Sequence, residues 1–483
     1  MKFSVVQRIL GVLLMGFSIT MLPPMLVSFY YADSGSLPFY LSFLTSLLLG
    51  LAIWFPVRND RRELQAREGF MVVTMFWVVL GLFAALPFLL AMQPHLTWTE
   101  AVFEAVSGLT TTGATVLTGI DELPASILWY RQQLQWIGGL AVVVIALAIL
   151  PLLGVGGMQL YRSETSGPSK HDKLLPRVRK MTSSFLGVYV AITLACALAY
   201  WLAGMSGFDA AAHALSTVST GGFSTHDASM AYFGSSMIEG VAIVFMIIGG
   251  ISFGLHFAAI HNRTLREYWR NAECRAFLLA LLAVALVAML YLMFRDEHDS
   301  LGKAFMAAAF QVVAVMTTTG FSTDDFSTWP AFLPVLLMFI SIMGASGGST
   351  GGGMKVVRFQ LLFKQGVREV ERVIHPQAEI PVKLGKRVVP DRVIEAVWGF
   401  FATYTFVYVI LMLLFLATGM DQVSAFSAVA ATLNNLGPGL GDVASNFTQT
   451  TDFAKWVGVA GMLLGRLEIF TLLVLLTPEF WRH

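Results

Sequence analysis

The stretch "STVSTGGFSTH", Ser216 to His226, is too polar and glycine-rich to continue a helix, yet apolar segments long enough to cross a bilayer flank it on both sides. The same kind of stretch recurs. "SGLTTTGATVL", "STVSTGGFSTH", "VAVMTTTGFST" and "ATLNNLGPGLG" align on Gly113, Gly222, Gly320 and Gly437, at spacings of 109, 98 and 117 residues. Each follows a short semi-apolar run suited to a half-membrane helix: "WTEAVFEAVS", "FDAAAHALST", "LGKAFMAAAFQVVAV" and "DQVSAFSAVAAT". Each precedes an apolar segment that contains glycine: "WIGGLAV", "MIIGGISF", "IMGASGGS" and "MLLGRLEI". The repeating unit is span, half-helix, polar turn, span, present four times.

Composition agrees with this reading. Of the 483 residues, 56% are hydrophobic and only 13% charged, and apolar runs of 18 or more residues mark a polytopic helical membrane protein. Ten spans are expected, near 8–30, 36–56, 69–92, 128–153, 182–204, 234–260, 274–295, 331–358, 393–418 and 452–478, with a kink at Pro23-Pro24. The N-terminal run has no small-residue cleavage site and reads as the first span. Cys196 and Cys274 have no disulfide or metal-ligand spacing.

Segments 56–68, 155–181, 261–276 and 355–392 hold 4, 6, 4 and 9 Lys or Arg, and with Lys2, Arg8 and Arg482 they account for 26 of 31. The opposite side carries few basic residues and an acidic set that includes Glu100, Glu104, Asp121, Asp324 and Asp325. The asymmetry places both termini in the cytoplasm. An acidic outer mouth concentrates cations.

Parity decides the geometry of the repeats. Each unit has two full spans, so all four share one orientation and are related by an axis along the membrane normal. Irregular backbone at membrane depth is tolerated where it is buried in protein or lines a water-filled path. Four converged turns present rings of carbonyls that can replace the hydration shell of a monovalent cation, and the half-helices aim their negative C-terminal ends at the same axis. The quoted stretch reads as one quarter of a selectivity filter.

These four pore segments, with a glycine-rich eighth span and two extra N-terminal spans, resemble the Trk/Ktr/HKT superfamily of bacterial potassium transporters, in its TrkH/TrkG branch. The resemblance covers essentially the whole chain. It implies an all-α polytopic fold of four parallel membrane-pore-membrane repeats around a pseudo-four-fold pore. The segments are then 1–68 for the two extra helices, and 69–170, 171–265, 266–375 and 376–483 for the four repeats. The family's filter residues map onto Thr111, Thr112 and Gly113; Thr220, Gly221 and Gly222; Thr318, Thr319 and Gly320; and Asn435, Leu436 and Gly437. The fourth segment departs most, and none contains the longer TVGYG of potassium channels.

"IMGASGGSTGGGMK", Ile342 to Lys355, interrupts the eighth span with six glycines that cannot form a stable helix. In the family such a loop obstructs the path and must move for conduction. Gly344, Gly347, Gly348, Gly351, Gly352, Gly353 and Lys355 form the expected gate, within a gating loop at 344–354. Arg466 joins them from the middle of the tenth span, where a charge costs at least about 2.5 kcal/mol and normally faces the bundle interior. It is expected to bond the loop's free carbonyls, while Glu468, on a different face, is not its partner.

Two other readings are weaker. "GASGGSTGG" resembles the nucleophile motif of rhomboid proteases with Ser346 as nucleophile, but no histidine lies on a neighbouring span after it. A proton- or sodium-coupled symporter needs acidic residues within the spans, and only Glu104 and Glu468 qualify. No HExxH, phosphate-binding loop or metal cluster is present, so no enzymatic activity and no cofactor on this chain is expected. Potassium is the transported ion. The resemblance also implies a homodimer and a TrkA-type cytosolic regulatory subunit that binds NAD or ATP/ADP. The basic amphipathic segment 359–392 is the candidate docking surface. The lipid bilayer of the bacterial inner membrane is the expected surroundings, and no nucleic acid is expected as a partner.

Overall fold

The computed structural model describes residues 3–60, 66–145, 174–295, 297 and 300–482. Helices dominate, and the only strands among the described residues form a hairpin of Lys383–Leu384 with Arg387–Val388. Six helices are long and apolar enough to cross a membrane: Phe3–Tyr31, Ser36–Val57, Arg67–Leu90, Thr182–Leu202, Ala272–Phe294 and Asp391–Leu416. Two further helix pairs pass the same test although bent, Ser236–Gly250 with Phe253–His261 by 94° and Asp452–Arg466 with Phe470–Leu476 by 111°. The outer faces of Thr182–Leu202, Ala272–Phe294 and Asp391–Leu416 carry exposed Leu194, Leu198, Leu202, Leu279, Leu290, Phe406 and Leu413. So much apolar surface suits lipid and not water. The chain is a multi-pass membrane protein.

Beside two small clusters, two large hydrophobic cores hold the bundle. One joins the N-terminal helices to Trp98–Leu109 and Asp452–Arg466 through Phe39, Trp77, Phe103 and Met462. The other joins Thr182–Leu202 to Leu301–Met316 and Phe332–Met343 through Tyr189, Phe277, Phe310 and Leu337. In the first, the helices of Gly11 and Gly50 cross closely: a Cβ on Gly11 would lie 2.7 Å from Trp54 Cβ. Small residues at a crossing let helix backbones approach in lipid.

Among the described residues three expected spans are broken. The sixth bends at Ile251–Ser252, the eighth ends at Met343 and resumes as Val356–Ile374, and the tenth breaks after Arg466 with Glu468 and Ile469 left-handed. Arg466 therefore ends a helix instead of sitting in the middle of one. The physical reason is that freed backbone groups find protein partners. Gly250 O accepts from Ser346 N at 3.0 Å, Gly249 O from Thr350 N at 3.3 Å, and Phe253 N donates to Gly348 O at 3.0 Å. Pro23 sits in the first turn of Leu22–Tyr31, following a 3-10 turn at Ile19–Met21, where its missing N–H costs little. The fourth expected span begins as Ala125–Val144, and its end at 153, with most of the basic segment 155–181, lies outside the described residues.

Four short helices, Trp98–Leu109, Gly207–Val218, Leu301–Met316 and Gln422–Leu433, position the site. Each starts on a side-chain cap. Thr97 forms a capping box with Glu100, Ser206 accepts from Asp209 N, Ser300 from Lys303 N, and Asp421 from Val423 N and Ser424 N. Such caps satisfy orphan N–H groups at a helix start.

Candidate ion-conducting site

All four short helices end in the same way. Thr112 N donates to Ser107 O at 2.9 Å, Gly221 N to Ser216 O at 2.9 Å, Thr319 N to Ala314 O at 2.8 Å and Leu436 N to Ala431 O at 2.9 Å. One residue earlier, Thr111, Thr220, Thr318 and Asn435 donate to Gly108 O, Thr217 O, Val315 O and Thr432 O. This paired pattern is the Schellman ending, which requires a left-handed residue. Here that residue is Thr111 at φ 53°, Thr220 at 50°, Thr318 at 58° and Asn435 at 55°. Non-glycine residues rarely adopt this conformation and persist in it where the surroundings over-determine them. Two residues on, Gly113, Gly222, Gly320 and Gly437 are again left-handed, at 83°, 82°, 77° and 98°.

The four turns close a ring. A Cβ on Gly113 would collide with Gly221 O, one on Gly222 with Thr319 O, one on Gly320 with Leu436 O, and one on Gly437 with Thr112 O. Each glycine thus faces the carbonyl of the next segment, and the fourth returns to the first. Among the described residues the carbonyls of Thr111, Thr112 and Gly113 and their counterparts receive no hydrogen bond from protein, except Gly221 O, which accepts from Gln135 Nε2 at 2.6 Å. Turns whose N–H groups at these two positions fold back into their helices leave their oxygens available to a cation. All twelve residues anticipated for the ring lie in it.

The glycine loop 344–355 packs against the helix-end side of this ring. Gly352 N donates to Thr318 Oγ1 at 2.6 Å and Gly353 N to Asn434 O at 3.1 Å. Thr350 Oγ1 donates to Val218 O and lies 3.1 Å from Thr220 Oγ1. A Cβ on Gly351 would lie 2.8 Å from Thr317 O. Gly344, Gly348 and Gly353 are left-handed, at φ 67°, 73° and 72°. Gly347 N donates to Glu273 Oε1 at 2.7 Å, Lys355 Nζ bonds Gly351 O, and Arg466 Nη1 donates to Thr350 O at 3.0 Å. Arg466 is buried, and its Nε and Nη2 have no partner among the described residues. Glu468 turns instead to Arg358, at 2.5 Å, whose guanidinium lies 4.2 Å over the Phe400 ring.

A profile of the TrkH family, described as a cation transport protein, matches residues 36–482. The chain belongs to that family. It is 52% identical to the Trk system potassium uptake protein TrkH of Vibrio parahaemolyticus and 51% identical to that of Escherichia coli K12, in both cases over the whole of each chain. It is 39% identical to TrkG of Escherichia coli K12, with 99% of this chain and 98% of the other covered. The crystal structure of the potassium transporter TrkH from Vibrio parahaemolyticus superposes with a TM-score of 0.93 at 50% identity, covering both chains fully. A member of the TrkH family is a transporter and not an enzyme.

Several residues of this TrkH-family site escape sequence reasoning. Gln135 supports the second turn from three sides: Nε2 bonds Gly221 O, and Oε1 accepts from Ser216 Oγ at 2.6 Å and from Phe223 N at 3.1 Å. Glu273 reaches both ends of the glycine loop, accepting from Gly347 N and, at 3.2 Å, from Val357 N. The available signal was polarity out of place: "YRQQLQ" at 130–135 lies inside an apolar helix.

Proposed function

We propose that the protein admits potassium into the bacterial cell through the ring of four turns, which acts as a selectivity filter. The observation that carries this reading is the closed cycle in which each ring glycine faces the neighbouring segment's carbonyl. Only glycine lets backbone oxygens approach so closely at a left-handed position. Stacked carbonyls from four segments can replace the hydration shell of a monovalent cation. The relatives' names, which specify potassium uptake, support the choice of ion.

On this reading the chain makes ten membrane passages, counting each broken helix with its continuation, arranged as two N-terminal helices and four repeats at 69–170, 171–265, 266–375 and 376–483. The excess of basic residues in alternate segments supports cytoplasmic termini in the inner membrane. The loop 344–355 is the gate: it lies beneath the ring, and Arg466 places positive charge beside the path while bonding Thr350 O. A cytosolic TrkA-type subunit that binds NAD or ATP/ADP would open it by pulling on helix Val356–Ile374, which begins where the loop ends. The word "system" in the relatives' names supports a multi-component assembly. A homodimer with one path per protomer completes the proposal.

The test is uptake of radioactive rubidium into proteoliposomes, with potassium and sodium as competitors. Uptake that potassium suppresses and Gly113→Ser alters supports the filter. Uptake that requires an imposed proton or sodium gradient would replace the gated path by a coupled symporter.

A further inference from the structure

Nine residues before the ring glycine, the four short helices carry Glu104, His213, Gln311 and Ala428. The first three side chains are fully buried and all reach the chain beyond the ring. Glu104 accepts from Val116 N and from Thr115 Oγ1, each at 3.0 Å. His213 Nε2 lies 2.9 Å from Ser224 Oγ, and Gln311 Nε2 donates to Asp324 O at 2.9 Å. At the fourth helix Ser427, beside Ala428, accepts from Leu440 N at 2.8 Å. The same position thus braces three quarters from behind, and the residue beside it braces the fourth.

The joint between the first two quarters is different, because only there is the brace charged. Arg131, 1% exposed, holds Glu104 Oε1 through Nε at 2.8 Å. Its Nη2 donates to Thr115 Oγ1 at 3.2 Å, and its Nη1 crosses to the second quarter to donate to Ser224 O at 3.0 Å. Its guanidinium lies 4.1 Å over the ring of Phe223, the residue after Gly222. A planar fork of donors suits this three-way grip, and lysine could not reproduce it. Burial makes the pair costly to break on one side only.

We infer that the Glu104–Arg131 pair is a positioning element for ion selection: it fixes the spacing between the first and second quarters of the ring, and so keeps the carbonyl cage too wide for sodium. The inference rests on the filter reading. Thr115 and Ser224 each follow the ring glycine by two residues. Clamping both limits how far Gly113 and Gly221 can close on each other. A cage of flexible carbonyls discriminates through its size or its ligand number, and either changes when the joint slackens.

The test compares rubidium uptake with and without excess sodium for purified, reconstituted wild type, Glu104→Gln, Arg131→Lys, Arg131→Met and the double variant Glu104→Gln/Arg131→Met. Gly222→Ala serves as the ring control. The preference for rubidium over sodium should fall about tenfold in Glu104→Gln and Arg131→Met, the scale of one charge-assisted hydrogen bond. Arg131→Lys should fall by less, and the double variant should be no worse than either single. A variant with low uptake but an unchanged preference has a merely structural defect, and that result in Glu104→Gln overturns the inference. If Glu104→Gln does not fold, a folded Arg131→Lys with wild-type preference overturns it equally. Normal uptake and preference in Gly222→Ala would instead sink the filter reading beneath it.

Discussion

The ring at Gly113, Gly222, Gly320 and Gly437 and the loop 344–355 are both buried, irregular and rich in glycine, yet they are held in opposite ways. Each ring turn bonds its N–H groups back into the helix that precedes it, so Thr112, Gly221, Thr319 and Leu436 are satisfied locally. The loop has internal bonds, such as Met354 N to Ile342 O and Ser349 N to Ser346 O, but is also tied to other segments. Its N–H groups reach Gly250 O, Glu273, Thr318 and Asn434, and its carbonyl at Thr350 depends on Arg466. A segment fixed by its own helix keeps its shape when neighbours move, whereas one tied by distant side chains moves when they let go. On the proposed reading, that difference suits a rigid filter above a movable gate.

The largest expected effect breaks the rigid half. Gly222→Ala puts a Cβ into Thr319 O at a left-handed position, strain of about 1–3 kcal/mol or more, so rubidium uptake should fall at least about tenfold in protein of normal abundance. Uptake at the wild-type rate would remove the ring from the permeation path. Next comes the movable half. Arg466→Ala and Glu273→Ala each delete a charge-assisted bond to the loop, and basal uptake should rise roughly fivefold to tenfold in each. A fall in uptake by either, in well-folded protein, would mean that the loop is not the obstruction.

A smaller effect sharpens the contrast. Thr350→Val removes the hydroxyl that joins the loop to Val218 O and Gly249 O, worth about 1 kcal/mol for neutral bonds, and should raise basal uptake by roughly twofold to fivefold. The rubidium-to-sodium preference should stay constant, because the ring is untouched; a changed preference would show that loop and ring are one unit.

The smallest lies outside both regions. Asp33 joins the N-terminal helices to Ala125–Val144 through Ser126 N at 2.9 Å. Burial opposes its ionisation, but hydrogen bonds from Ser28, Ser126 and Gly35 outweigh that and hold its carboxyl below the ordinary value. A lowered carboxyl contributes stability above the unfolded-state pKa and loses it as pH falls through the folded-state one. Asp33→Ala should therefore lower the melting midpoint by roughly 2 °C at pH 7, and the gap to wild type should close below about pH 4. A gap that persists at lower pH would assign the loss to packing.

Some of this was legible in the sequence for plain reasons. A largely apolar span of 23 residues such as Ala272–Phe294 has no other solution in lipid. The common register of Gly113, Gly222, Gly320 and Gly437 needed only alignment. The break at Gly344 was announced by its six glycines, but those at Ile251 and Leu467 were less legible. Hydropathy counts side chains, and the chain stays apolar through a break whose freed carbonyls are met by another segment. Glu104 could be read as a cation-attracting or packing residue; that it grips Arg131, and that Arg131 reaches Ser224, depends on a crossing between helices.

By itself the sequence determined that this chain is a helical membrane protein with four equivalent polar turns, because apolar length and repeated spacing are properties of the chain read along its own axis. Only the tertiary structure decided the cyclic order in which each glycine meets the next carbonyl, the loop's dependence on Glu273 and Arg466, and the Glu104–Arg131 joint behind the ring. Those are contacts between residues far apart along the chain, as with Asn435 Nδ2 and Thr112 Oγ1, which are 323 residues apart. Their partners are chosen by packing in three dimensions, which no local pattern encodes.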